Sequence, residues 1–328
     1  MLNIVFMGTP DFAKESLEML YNEGYNILGV FTAPDKPKGR GLNLIPSPVK
    51  EYSQEKKFAI YQPEKLRNNT EMIEKIKELN PDVICVVAYG IILPKEILDI
   101  ASLGCVNVHG SLLPKYRGSS PIQYAIINGD KTTGITTMYM DEGMDTGDII
   151  LKEEVEIFDD ETTGELWNRL SSVGAKLLVE TLEQIEKGTA PRIEQGKDFT
   201  LAPMLDKEMS KIDWEEKTAK EISDLTRGLN PIMGTYSFLN GKKIKFWKLQ
   251  VVTVKEFLEK YKEFEGYEYR FDSIDSGTIL YIDMKEGIYV KAKDEIIKIL
   301  EIQAENSKQM NILDFLRGNK IEVVDRFE

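Results

Sequence analysis

In the first half of the chain, short runs of valine and isoleucine alternate with longer stretches in which apolar residues return every three or four positions. Residues 3–7, 27–31, 83–89 and 105–108 are apolar almost without interruption, as strands buried on both faces are. Residues 11–22 and 69–79 between them carry the period of amphipathic helices. This alternation predicts an open, mostly parallel sheet with helices on both faces. A helix over 119–128 leads to a further strand over 134–140, read as a right-handed strand-helix-strand unit that brings both strand ends to one sheet edge. A long helix over 161–187, stopped by Gly188, closes this half.

Residues 189–206 lose all periodicity and contain Pro191, Gly196 and Pro203, which predicts an interdomain linker. Beyond it the pattern changes to alternation with period two, over 236–239, 242–247, 278–284, 288–292 and 295–302. Asn240-Gly241 separates the first two of these strands as a two-residue hairpin turn. Residues 257–264 read as a charged helix between strands. The fold class expected is therefore α/β: a Rossmann-like sheet domain over 1–188, a linker over 189–206, and a small OB-like β-barrel domain over 207–328.

Composition narrows the function classes. The chain has 328 residues, 42% hydrophobic and 30% charged, which suits an ordinary globular protein of about two domains. Its longest apolar stretch, residues 83–93, falls well short of the roughly 20 residues that span a bilayer. The start lacks a basic region and a cleavage site, so no signal peptide is expected. Cys85 and Cys105 both lie within apolar segments, and without a disulfide framework a reducing cytoplasm is the natural compartment. A net charge of −13 disfavours broad nucleic-acid affinity, but most of that deficit lies before residue 207, leaving the second half nearly neutral.

Several familiar motifs are absent. Met7-Gly8-Thr9-Pro10-Asp11 lacks the glycine pattern of a dinucleotide turn, and no Walker A sequence exists. Asp141, Asp145 and Asp148 resemble a calcium loop until the twelfth position, where Lys152 replaces the acidic ligand. One histidine and two apolar-embedded cysteines give no zinc set, so no metal is expected.

The single histidine, His109, stands two residues after Asn107 at the end of an apolar strand. Period-two alternation puts both side chains on one face. A carboxamide beside an imidazole suits stabilising a carbonyl oxyanion and moving a proton. Asp145, between Gly143 and Gly147, either faces His109 and favours its charged form or merely shapes a turn. Residues 32–48 form an unusually long loop carrying Lys36, Lys38 and Arg40, which suits an anionic substrate or a solvated surface.

Asn107-Val108-His109-Gly110-Ser111-Leu112-Leu113-Pro114, continuing through Lys115-Tyr116-Arg117-Gly118 to Gln123 and then Asp145-Thr146-Gly147-Asp148, resembles the folate-dependent formyltransferases. The opening Phe6 to Asp11 and the 34–50 loop are similar to members that act on a charged tRNA. The resemblance implies transfer of the formyl group of 10-formyltetrahydrofolate to the amino group of initiator methionyl-tRNA. It places Asn107, His109 and Asp145 on catalytic positions, and Ser111, Leu112, Leu113 and Pro114 on the folate-binding segment, with Tyr89 and Gly90 beside them. Arg40 matches the loop residue that approaches the tRNA acceptor end. Lys36 and Lys38 stand beside it; apart from the resemblance, Lys242, Lys243, Lys245 and Lys248 along the hairpin are either a second tRNA contact or lysines that only solubilise an exposed ribbon. A monomer is expected.

Three other readings remain open. An N-formyltransferase acting on an amino sugar nucleotide would share the trio without needing a tRNA-binding barrel. A 10-formyltetrahydrofolate hydrolase would release formate without an acceptor, and a non-catalytic RNA-binding protein would bind without transfer.

Overall fold

The structure is a computed structural model that describes residues 1–38, 43–264, 271 and 273–328. The chain forms two compact units. The first comprises Met1–Pro121, Thr132–Glu156 and Glu165–Pro203; the second comprises Ile122–Lys131, Ile157–Gly164 and Met204–Glu328.

In order, the first half contains β1 (Asn3–Gly8), α1 (Asp11–Asn22), β2 (Asn26–Phe31), β3 (Lys36–Lys38), β4 (Asn43–Ile45), α2 (Pro48–Lys56), β5 (Ile60–Tyr61) and α3 (Thr70–Leu79). These lead to β6 (Val83–Val87), α4 (Lys95–Leu98), β7 (Cys105–His109), α5 (Pro121–Ile127), β8 (Thr132–Tyr139), β9 (Ile149–Glu156) and α6 (Thr163–Glu186). The main sheet has the order β5-β2-β1-β6-β7-β8-β9, and β5 through β7 run parallel. All five residues of β6 are buried, which is why its sequence is apolar throughout. Asn69 caps α3 by accepting from Met72 N at 3.2 Å, which moves the helix start one residue beyond the position the pattern suggests. Gly174 lets α6 approach the sheet closely, since a Cβ there would lie 3.0 Å from Val108 Cγ1.

The expected right-handed crossover between β7 and β8 is not formed. β8 runs antiparallel to β7, with Val106 opposite Tyr139 and His109 opposite Thr136. A parallel return requires the connecting helix to lie along the sheet and carry the chain back. Residues 122–131, including most of α5, group with the second unit instead, and β8 enters at the end where β7 leaves. Residues 189–203, within the stretch read as a linker, carry no helix or strand but belong to the first unit. Ile193 and Ile149 exchange backbone hydrogen bonds at 2.8 and 3.0 Å, and Arg117 N donates to Thr200 O at 2.9 Å.

The second unit contains α7 (Ala219–Gly228), β10 (Thr235–Leu239), β11 (Lys242–Val252), α8 (Val254–Lys260), β12 (Ile279–Asp283), β13 (Gly287–Lys291), β14 (Ile296–Ala304), β15 (Met310–Asn311) and α9 (Ile312–Gly318). Its antiparallel path is β10-β11-β14-β13-β12, with β15 paired to β14. Asn240 and Gly241 both take positive φ, 51° and 72°, as a primed hairpin turn needs. The inserted helix starts at Val254, before the expected position, because Thr253 and Glu256 form a reciprocal cap. The last residues close the sheet. Val324 and Asp325 exchange backbone bonds with Ile279 of β12, while Glu328 exchanges two with Phe238 of β10. The enclosed core holds Trp214, Phe246 and Phe327 against Ile244, Ile279, Val290 and Ile299. Among the described residues, no helix is long and apolar enough to cross a membrane.

Candidate active site at the end of strand β7

Because β6 and β7 are parallel neighbours, with Val87 opposite Val108, their C-terminal ends share one sheet edge. Tyr89 and Gly90 follow the first strand there, and His109 ends the second. Asn107 is half-buried on the same face of β7 as His109, and its carboxamide makes no hydrogen bond among the described residues.

The His109 ring is buried, with Nε2 at 2.9 Å from Tyr116 O. A carbonyl oxygen only accepts, so Nε2 carries a proton. Nδ1 then faces Asp145, whose Oδ2 lies 3.7 Å away, within ion-pair range but beyond a direct hydrogen bond. With a proton on each nitrogen, both N–H groups would face acceptors. Asp145 Oδ2 is itself held by Gly118 N, which donates at 2.8 Å. Two uncommon backbone states support this contact: Asp145 has φ 54°, which a short polar side chain tolerates, and Gly118 has φ 123°. A Cβ at Gly118 would also lie 2.6 Å from Ala202 O, so only glycine fits there. The structure thus brings Asp145 to His109 through the turn between β8 and β9, not through a shared sheet edge.

The segment after His109 is pinned from beneath. Thr136 Oγ1 donates to Ser111 O at 2.7 Å and accepts from Leu113 N at 3.0 Å. Ser111 Oγ donates to Lys115 O at 2.6 Å. Leu113 is fully buried with Met138 and Ile149, while Leu112 and Pro114 are half-buried and Gly90 is exposed. Tyr89 is buried, its hydroxyl has no hydrogen-bond partner among the described residues, and burial pushes its ionisation well up from the ordinary phenol range. Burial also pushes the Cys105 thiol up to about 12 and raises that of Cys85, so both behave as core residues.

Lys36 is exposed on the β3–β4 ribbon, whereas Arg40 and the Lys38 side chain lie outside the described residues. Near the ribbon, Lys50 pairs with Asp35 at 2.6 Å and, with Gln62, holds that carboxyl below its usual range. In the second unit, Lys242 and Lys248 are exposed. Lys243 and Lys245 lie on the face of β11 opposite the buried Ile244 and Phe246. Lys243 Nζ sits 3.4 Å over the Tyr236 ring, and Lys245 Nζ donates to Met233 O at 3.1 Å.

Sequence reasoning missed Thr136, Arg117 and Gln195, which hold the elements around the trio. Arg117 lies within the quoted motif, but nothing in the pattern gives it a role. Gln195 sits in an aperiodic stretch where no period signals its contacts.

Residues 2–182 match the family model described as formyl transferase, and residues 204–320 match the formyl transferase C-terminal domain. The chain is 49% identical over 322 residues to a methionyl-tRNA formyltransferase of Clostridioides difficile (strain 630), covering 98% of each chain. It is 43% identical over 329 residues to one of Halothermothrix orenii, covering 99% of each. Among solved structures, an N-formyltransferase from Helicobacter canadensis, in complex with folinic acid and dTDP-3-aminofucose, aligns with a TM-score of 0.64 at 19% identity, over 91% of this chain and 99% of that one. HypX from Aquifex aeolicus, in complex with tetrahydrofolic acid, aligns over the whole chain with a TM-score of 0.64 at 16% identity. This chain spans half of HypX. At these identities the structural likeness concerns the fold. Both halves therefore carry formyltransferase domains. The chain belongs to the formyltransferase family.

Proposed function

We propose that this protein transfers the formyl group of 10-formyltetrahydrofolate to the amino group of methionyl initiator tRNA, acting as a cytoplasmic monomer. The observation that carries the acceptor is the match to methionyl-tRNA formyltransferases along nearly the full length, barrel included. For the chemistry, it is the convergence of Asn107, His109 and Asp145 at one strand end.

The neutral amine attacks the formyl carbon, a C–N bond forms, and the carbonyl oxygen takes up negative charge. The unengaged Asn107 carboxamide is suited to donate to that oxygen, with His109 beside it. Nε2 already donates to Tyr116 O, so the proton the attacking nitrogen must lose passes to Nδ1, on the side facing Asp145. Collapse breaks the bond between the formyl carbon and the folate nitrogen, which leaves as an amine after receiving, by way of His109 Nδ1, the proton the attacking nitrogen gave up. The donor has a flat heterocycle with a polar edge and faces that pack on apolar side chains. Leu112 and Pro114, both half-buried, offer an apolar surface for it at the same sheet edge.

The test is single-turnover formyl transfer with His109→Ala. Removing one oxyanion-stabilising group costs about 10²–10³-fold in rate, and loss of the proton route adds to that. Affinity for the charged tRNA, measured separately, is expected to stay within about twofold, because the role is realised in the transition state. Wild-type transfer in this variant would remove His109 from the chemistry.

A further inference from the structure

The turn that carries Asp145 is gripped by one side chain. Gln195 Nε2 donates to Asp145 O at 2.9 Å and to Gly147 O at 2.8 Å. Its Oε1 accepts from Arg117 Nε at 3.0 Å and from Arg117 Nη2 at 2.7 Å. The orientation of the amide is unambiguous, because a guanidinium only donates and backbone carbonyls only accept. Arg117 is itself immobilised, being buried with its guanidinium 4.7 Å over the Phe199 ring. Its neighbours on either side touch the reacting pair directly: Tyr116 O meets His109 Nε2, and Gly118 N meets Asp145 Oδ2.

We propose that Gln195, locked by Arg117, is a positioning residue that holds Asp145 in its left-handed conformation and so sets the carboxylate against His109. The clamp takes the carbonyls on both sides of Thr146, so the backbone at Asp145 cannot relax toward the ordinary φ region without breaking two hydrogen bonds. The far side of the turn is braced separately, by Asp141 Oδ1 accepting from Gly143 N and Thr146 Oγ1. Gln195 therefore acts on the carboxylate-bearing side. The inference rests on the role given to Asp145 above.

Gln195→Met keeps side-chain length and removes both donors. It is expected to lower kcat about 10- to 100-fold, the usual cost of losing a residue that orients a functional group. KM for the charged tRNA and for the folate should stay within about twofold, since the substitution leaves the groups that bind either ligand in place. The deciding readout is a double-mutant cycle. In an Asp145→Ala background, Gln195→Met should cost nothing further in kcat, because a positioning residue has nothing left to position. Gln195→Glu keeps the Arg117 contact while setting an oxygen against two carbonyls. It gives the same reading should the methionine variant not fold. An unchanged kcat in Gln195→Met, or an equal loss with and without Asp145, overturns the proposal. Full kcat in Asp145→Ala alone would instead overturn the role of the carboxylate itself.

Discussion

At the scale of single residues, the site depends on hydrogen-bond direction more than on proximity. His109 has an acceptor fixed at Nε2 and a carboxylate facing Nδ1, and Asp145 is held by one backbone N–H. Asp145→Asn keeps the shape and removes the charge facing the ring. Transfer should slow by at least about tenfold, with tRNA and folate affinities unchanged. Gly118→Ala should slow transfer as well, because a Cβ meets Ala202 O and the backbone must shift, withdrawing its N–H from Asp145. A kcat equal to wild type in both variants would make the contact incidental. That Asn107 and His109 share one face at a strand end is legible in the sequence, because the alternation of an apolar strand is local. The role of Gln195 is not. Its partners are backbone carbonyls of a distant turn, and no sequence period encodes a contact of that kind.

At the scale of elements, hydrophobic pattern located most strands but not their directions. β6 and β7 announce burial on both faces, and the same is true of β8, whose residues after the first are all buried. Burial is blind to polarity, so the reversal of β8 could not be read. β9 was overlooked because only its first two residues are buried. The Asn240-Gly241 hairpin was plain, since its turn chemistry is local. Lys243 and Lys245 lie on the face away from the barrel core and Lys242 and Lys248 are exposed, so replacing all four with glutamine should weaken binding of initiator tRNA. It should also reduce the slope of log affinity against log salt by about one for each phosphate that is no longer neutralised. An unchanged slope across a salt titration would move the tRNA-binding surface elsewhere. Lys243 and Lys245 already meet an aromatic ring and a carbonyl, so Lys242 and Lys248 should dominate.

At the scale of the whole molecule, each unit keeps its own core, and the second is closed by its final residues. That closure was not legible, because residues 324–328 present a single buried apolar side chain, Phe327. Phe327 stacks on Trp214 at 5.8 Å and meets Phe246 edge-on at 5.3 Å. Phe327→Ala should destabilise the second unit by about 3–5 kcal/mol, visible as an earlier thermal transition. A transition at the wild-type temperature would mean that the closing segment contributes little. The chain as a whole is acidic, with net charge −13, so its acceptor must be chosen by shape and local contacts and not by bulk attraction. The most direct measurement is formyl transfer from 10-formyltetrahydrofolate by the purified protein, with initiator methionyl-tRNA, elongator methionyl-tRNA, an amino sugar nucleotide and water alone compared side by side. Rapid formylation of initiator methionyl-tRNA is expected, with the other acceptors far slower and little formate released. Preferred formylation of the sugar nucleotide, or formate release undiminished without an amine, would contradict the proposed function.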